Sequence, residues 1–143
     1  MKILAVDLGK ARTGLAVCDE GEILASPVAV ITQYNREKLA QEVAAKAREL
    51  AVGELVVGLP RNMDGSEGES AQGAREFAAV LGELTGLPVV LRDERLTTVT
   101  AHGYLNDTNT RGKKRKAVVD AVAAVVILEE YLSFRRRQRA RES

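Results

Sequence analysis

The sequence predicts an α/β protein built on a mixed five-stranded sheet with helices on both faces. Three observations predict it. The run KILAVDL at 2–8 is apolar apart from its charged residues, which reads as a strand covered on both faces. Two further short strand-like runs follow it across tight turns, giving an antiparallel meander. After Asn35 the apolar period changes to helical, and helix and strand then alternate, so that right-handed crossovers return the later strands parallel to the first.

Each element has its own reason. After the first strand, Gly9 to Arg12 form a turn, and TGLAVCD at 13–19 reads as the second strand. Glu20-Gly21-Glu22 make a tight turn into the third strand, ILASPVAVI at 23–31. Pro27 inside it calls for an edge position or a bulge, because proline cannot donate to a ladder. Asn35 is a helix N-cap candidate, and Leu39, Val43, Ala47 and Leu50 mark one face of a helix over 36–51. ELVVG at 54–58 is the fourth strand, and LPRNMDGSEGE at 59–69 is a Gly/Asp/Asn-rich loop. Phe77, Val80, Leu81 and Leu84 mark a second helix over about 70–85, ended by Gly86 and Pro88. PVVLR at 88–92 is the fifth strand. A short helix is expected at 97–106, a polar loop to about 115, and a last helix over about 117–134. The first strand, as the most apolar, should lie centrally.

The 143 residues fit one domain over 1–134, followed by a basic tail at 135–143 expected to be disordered. One cysteine cannot form an intramolecular disulfide, and one histidine cannot build a zinc site. No apolar run approaches the roughly 18 residues of a membrane span, and the start lacks a signal-peptide pattern, so a cytoplasmic protein is expected. The formal net charge is +1, but residues 111–143 carry 10 Lys/Arg against 4 Asp/Glu. Much of that charge lies in Arg111 to Lys116 and Arg135 to Arg141, runs that attract phosphates through counterion release or simply form solvated surface.

Three acids stand where a fold alone would not want them. Asp7 lies in the most hydrophobic strand, sharing a face with Ile3 and Ala5. An unpaired carboxylate there costs several kcal/mol. It also lies near the C-terminal end of a central strand, where ligand sites of open α/β sheets gather. The alternative role is capping the Gly9 turn. Glu94, in Asp93-Glu94-Arg95, directly follows the fifth strand and lands at the same edge if that strand is parallel; alternatively the three form an exposed turn. Asp120 lies in AVVDAVAAVVIL, a helix apolar nearly all round, where either burial against the sheet or the helix dipole accounts for it. Together the three suit hard divalent cations, Mg²⁺ or Mn²⁺, with two ions bracketing a phosphodiester. Lys10, Arg12, Arg61, Arg95 and the run Lys113, Lys114, Arg115 and Lys116 would supply positive surface for a polyanion.

VDLGKARTGLAVCD, VVGLPRNMDGSEG, DERLTT at 93–98 and KAVVDAVAAVVIL at 116–128 resemble, in this order, the YqgF/RuvX family over about residues 2–132. The combination of GLPxNMDGS with DERLTT is specific. The resemblance implies a ribonuclease H-like fold and a metal-dependent nuclease that processes the 5′ end of the small-subunit rRNA precursor. Some members are described as Holliday-junction resolvases. The family's acidic positions carry over onto Asp7, Glu94 and Asp120, and the loop around Asn62, Asp64 and Gly65 matches its second signature. Arg61 stands where the family commonly has Leu. The implied partners are structured nucleic acid, with precursor rRNA favoured over a DNA junction, and a ribosomal particle.

Other readings stay open at this stage. A junction resolvase must cut two strands symmetrically and so act as a two-fold dimer, and the sequence does not choose between monomer and homodimer. A non-catalytic nucleic-acid-binding factor fits the basic runs, although 3% aromatic residues argue against base stacking. A sugar-kinase-like phosphotransferase would need two such domains. Neither common glycine-rich nucleotide loop occurs. Cys18 reads as core packing, His102 as structural or surface, and Thr97 and Thr98 as helix caps. The loop 107–115 is expected to be mobile until nucleic acid binds.

Overall fold

In the computed structural model, residues 1–62, 64–94 and 112–142 are described, with the backbone alone for 112–121. The sheet is ordered β3-β2-β1-β4-β5. Its strands are β1 (Ile3–Asp7), β2 (Arg12–Cys18), β3 (Ala25–Thr32), β4 (Glu54–Leu59) and β5 (Val89–Asp93). β1 is central, antiparallel to β2 and parallel to β4, which is parallel to β5. The helices are α1 (Arg36–Glu49), α2 (Glu69–Thr85) and α3 (Gly112–Glu142).

Both faces of β1 are buried, which is why its sequence does not alternate in polarity. Leu4 and Val6 pack with Leu55 and Val57 against α1 and α2 through Leu39, Val43, Phe77 and Leu81. Ile3 and Ala5 point to the opposite face, where they meet Val56, Ala124, Ile127, Leu128 and Tyr131. Each of the larger of these side chains, Val, Leu, Ile or Phe, contributes about 1.5–3 kcal/mol on full burial. Asn35 caps α1, its Oδ1 accepting from the Lys38 backbone N–H at 3.0 Å. Gly86 closes α2 in the left-handed region, φ 69°, donating to the Gly82 carbonyl at 2.9 Å. Both features that Pro27 called for are present. β3 is an edge strand, and its register with β2 shifts at Leu15/Ala16, beside Pro27.

The C-terminal region differs from the sequence expectation. The polar loop to about 115 and the disordered tail at 135–143 give way to one helix that begins at Gly112 and runs to Glu142. Lys, Arg, Gln and Ala are good helix formers, so the basic runs continue the helix. The tail is also anchored. Arg135 Nε donates to Glu22 Oε1 at 2.6 Å, and Arg139 lies 3.5 Å from the same oxygen. The expected helix at 97–106, including Thr97, Thr98 and His102, and the loop residues 107–111 lie outside the described residues. Among the described residues no helix is long and apolar enough to cross a membrane.

Candidate active site

The site lies at the C-terminal ends of β1, β4 and β5. Asp7 is the last residue of β1, paired with Gly14 of β2. Gly58 lies near the end of β4, one position past the Val6–Val57 pair, and Glu94 follows the last residue of β5. The parallel register brings these ends to one edge. The side chain of Glu94 lies back across Gly58: a Cβ there would stand 2.3 Å from Glu94 Oε1 and 2.9 Å from its Cδ. Only a residue without a side chain leaves that space.

The Asp7 carboxyl lies close enough to that of Glu94 to act on its ionisation. Two carboxyl groups this near each other favour a form in which one is neutral. Burial pushes the Glu94 carboxyl above its usual range; the Asp7 carboxyl opposes that rise, and the neighbouring charge of Asp93 adds to it. Two neighbouring carboxyl groups, one of them buried, are a donor set suited to a hard cation. Among the described residues no group of three potential ligands is assembled. Asp120 belongs to α3, one helical turn before Ala124, and its side chain lies outside the described residues.

The surrounding residues take distinct positions. Gly9 turns tightly after β1, where a Cβ would collide with the Arg12 carbonyl at 2.1 Å. Lys10 is exposed and Arg12 half-buried in this turn. Arg61 lies 3.3 Å from Glu67 and 3.9 Å from Asp93, so it fastens the loop after β4 to the end of β5. That loop is locked internally. Asn62 Nδ2 donates to Ser66 Oγ at 2.9 Å, and Asp64 Oδ1 accepts from the Ser66 backbone and hydroxyl at 2.9 and 2.6 Å. The Asn62 side chain is thus engaged in holding the loop's shape. Arg95 and the side chains of Lys113, Lys114, Arg115 and Lys116 lie outside the described residues.

Sequence reasoning missed Gly58, which looks like any strand-end glycine. It also missed a cluster at the opposite sheet edge. There the buried Glu22 and Glu54 meet Arg135 at 2.6 and 3.6 Å, and Tyr131 Oη donates to Glu54 Oε2 at 2.6 Å. Burial, then this bond, push the Tyr131 hydroxyl up to about 12.

Comparison with known proteins bears on the family and the fold. Residues 1–134 match the family model described as "RuvX: Holliday junction resolvase". A protein of Anaeromyxobacter sp. (strain Fw109-5) named "Putative pre-16S rRNA nuclease" is 47% identical over 94% of this chain and 98% of its own. A relative of the same name from Lachnospira eligens is 42% identical over 96% and 100%. In solved structures, Thermus thermophilus RuvC superposes with a TM-score of 0.60 at 13% identity, covering 94% of this chain and 96% of RuvC. The fowlpox virus Holliday junction resolvase gives 0.55 at 13% identity, covering 94% and 99%. These two share the fold, as the ribonuclease H-like expectation required. The signatures around Asp7, Asn62 and Glu94, the sheet order and the family match agree: the chain belongs to the RuvX family.

Proposed function

We propose that the chain is a divalent-metal-dependent phosphodiester hydrolase that trims the 5′ end of the small-subunit rRNA precursor. The observation that carries this reading is the buried Glu94 carboxyl, lying over Gly58 and acted on by the Asp7 carboxyl from the end of the central strand. The names of the relatives supply the substrate.

Asp7, Glu94 and Asp120 would hold Mg²⁺ or Mn²⁺, two ions when substrate is bound. The bound cations supply a water of lowered pKa and charge stabilisation for the leaving oxygen. The ionised forms of Asp7 and Glu94 would be favoured by a cation held there. Gly58 leaves room for the Glu94 side chain, and Asp120 of α3 would be the third ligand. Lys10 and Arg12 meet backbone phosphates at the β1–β2 turn, and Arg95 and the run Lys113 to Lys116 extend the positive surface. Arg61 and Asn62 hold the loop beside it.

The test offers precursor rRNA and a synthetic four-way DNA junction side by side with Mg²⁺, to wild type and Asp7→Asn. Wild type should cut the rRNA and Asp7→Asn should cut neither while keeping its fold and nucleic-acid binding. Full activity in Asp7→Asn overturns the mechanism. The family description favours a second reading, junction resolution in DNA recombination. Cleavage of the junction alone, by a two-fold dimer in light scattering, would select it.

A further inference from the structure

Two hollows adjoin on the α1–α2 side of the site edge. The nearer, about 230 Å³, is bordered by Gly9, Lys10, Arg36, Glu69, Ser70 and Gly73. The farther, about 370 Å³, lies between α1 and α2, shares Arg36 and Gly73 with the first, and carries Glu37 and Glu76. Phosphate chemistry therefore belongs to the nearer one.

The polar groups there are uncommitted. Among the described residues, neither Lys10 nor Arg36 has a carboxylate partner, and the Ser70 hydroxyl makes no hydrogen bond. Arg61, next to the Pro60 that borders the same hollow, is by contrast paired with Glu67 and Asp93. Two cations against the single carboxylate of Glu69 leave the hollow net positive.

Gly73 borders the same hollow. It lies inside α2, where glycine is less favourable than alanine. A Cβ there would meet nothing within 4 Å, so no neighbour in the chain requires the glycine. It borders both hollows, and a methyl there would project into the open space beside them.

We infer that Arg36 and Ser70 carry the phosphate-binding surface of Lys10 on into a further subsite, holding a backbone phosphodiester of the nucleic acid away from the bond being cut, with Gly73 keeping room for the strand. The inference rests on the nuclease reading and extends it. The subsite sets strand path and affinity and takes no part in the chemistry.

The experiment measures binding of precursor rRNA over a salt series and steady-state cleavage with Mg²⁺, using the full chain. Arg36→Gln should raise KM and Kd with kcat unchanged and reduce the slope of log K against log salt by about one. Ser70→Ala should weaken binding without changing that slope. Gly73→Ala should raise the melting temperature and yet weaken binding, a split that a purely structural role does not produce. Lys46→Gln, at the far end of α1 and paired with Glu49, should change nothing. Wild-type affinity and slope in both Arg36→Gln and Ser70→Ala, in a protein that still cleaves, would overturn the subsite and leave the nuclease reading standing. Inorganic phosphate binding that Arg36→Gln abolishes, with rRNA affinity unchanged, would make the hollow a free-anion site and also overturn it. A wild-type chain that binds no nucleic acid overturns both.

Discussion

At Glu94 the cost of the site is visible in one side chain. Burial raises its carboxyl pKa, so its favourable protonated form is fully populated below the ordinary carboxyl range and lost as pH rises through the raised folded value. Stability in EDTA should therefore fall with pH across that window. Glu94→Gln removes the ionisation and should melt higher than wild type at neutral pH, with the gap closing in acid. A Glu94→Gln that melts lower at pH 7 would mean that the carboxylate is a stabilising group. Gly58→Ala probes the same space from below. Its methyl must displace Glu94, so cleavage should drop about 10- to 100-fold, as for other residues that orient metal ligands. A melting temperature near wild type would separate this from unfolding. Asp7 and Glu94 were legible in the sequence because each lies beside the end of an apolar strand, where parallel register makes strand ends neighbours. Gly58 was not, because its role appears only when a side chain from another strand lies across it.

Among the elements, α3 departs most from what its residues announce one by one. A run of arginines reads as solvated surface, but Arg135 and Arg139 are one helical turn apart, and both reach Glu22. The partners are 113 residues apart in the chain for Arg135–Glu22 and 77 for Tyr131–Glu54, so no local pattern signals either contact. Glu22 itself lies in the tight turn that the sequence did reveal, at φ 57°, and is buried. The Arg135 hydrogen bond holds its carboxyl below the usual range against the opposing effect of burial. Its stabilisation is thus present above the ordinary carboxyl pKa and is lost as pH falls through the lower folded value. Glu22→Gln should cost about 2 kcal/mol at pH 7, less than a fully buried pair because Arg135 is partly exposed. Chemical denaturation at pH 7 measures it directly. A chain shortened after Phe134 should likewise melt below the full chain, whereas a disordered tail would be removed without effect.

Across the whole molecule the topology was the most legible feature, because few arrangements satisfy a meander followed by right-handed crossovers. The order β3-β2-β1-β4-β5, with helices on both faces, follows from those rules. What the rules could not provide was that one long helix, α3, spans from the Asp120 region to Arg135. Mg²⁺ or Mn²⁺ should raise the melting temperature of wild type and not of Asp7→Asn, since a ligand stabilises only the state that binds it. An equal rise in both proteins would place the ion elsewhere. α3 joins the two edges, with the proposed ligand Asp120 toward one end and Arg135 toward the other. The axial span between them is about 22 Å, so each degree of tilt about the arginine end swings Asp120 by about 0.4 Å. Catalytic groups tolerate roughly 0.5 Å of displacement. The anchor at Glu22 is therefore a matter of aim as well as of strength, and loosening it should blunt the cutting edge at temperatures where the protein is still fully folded.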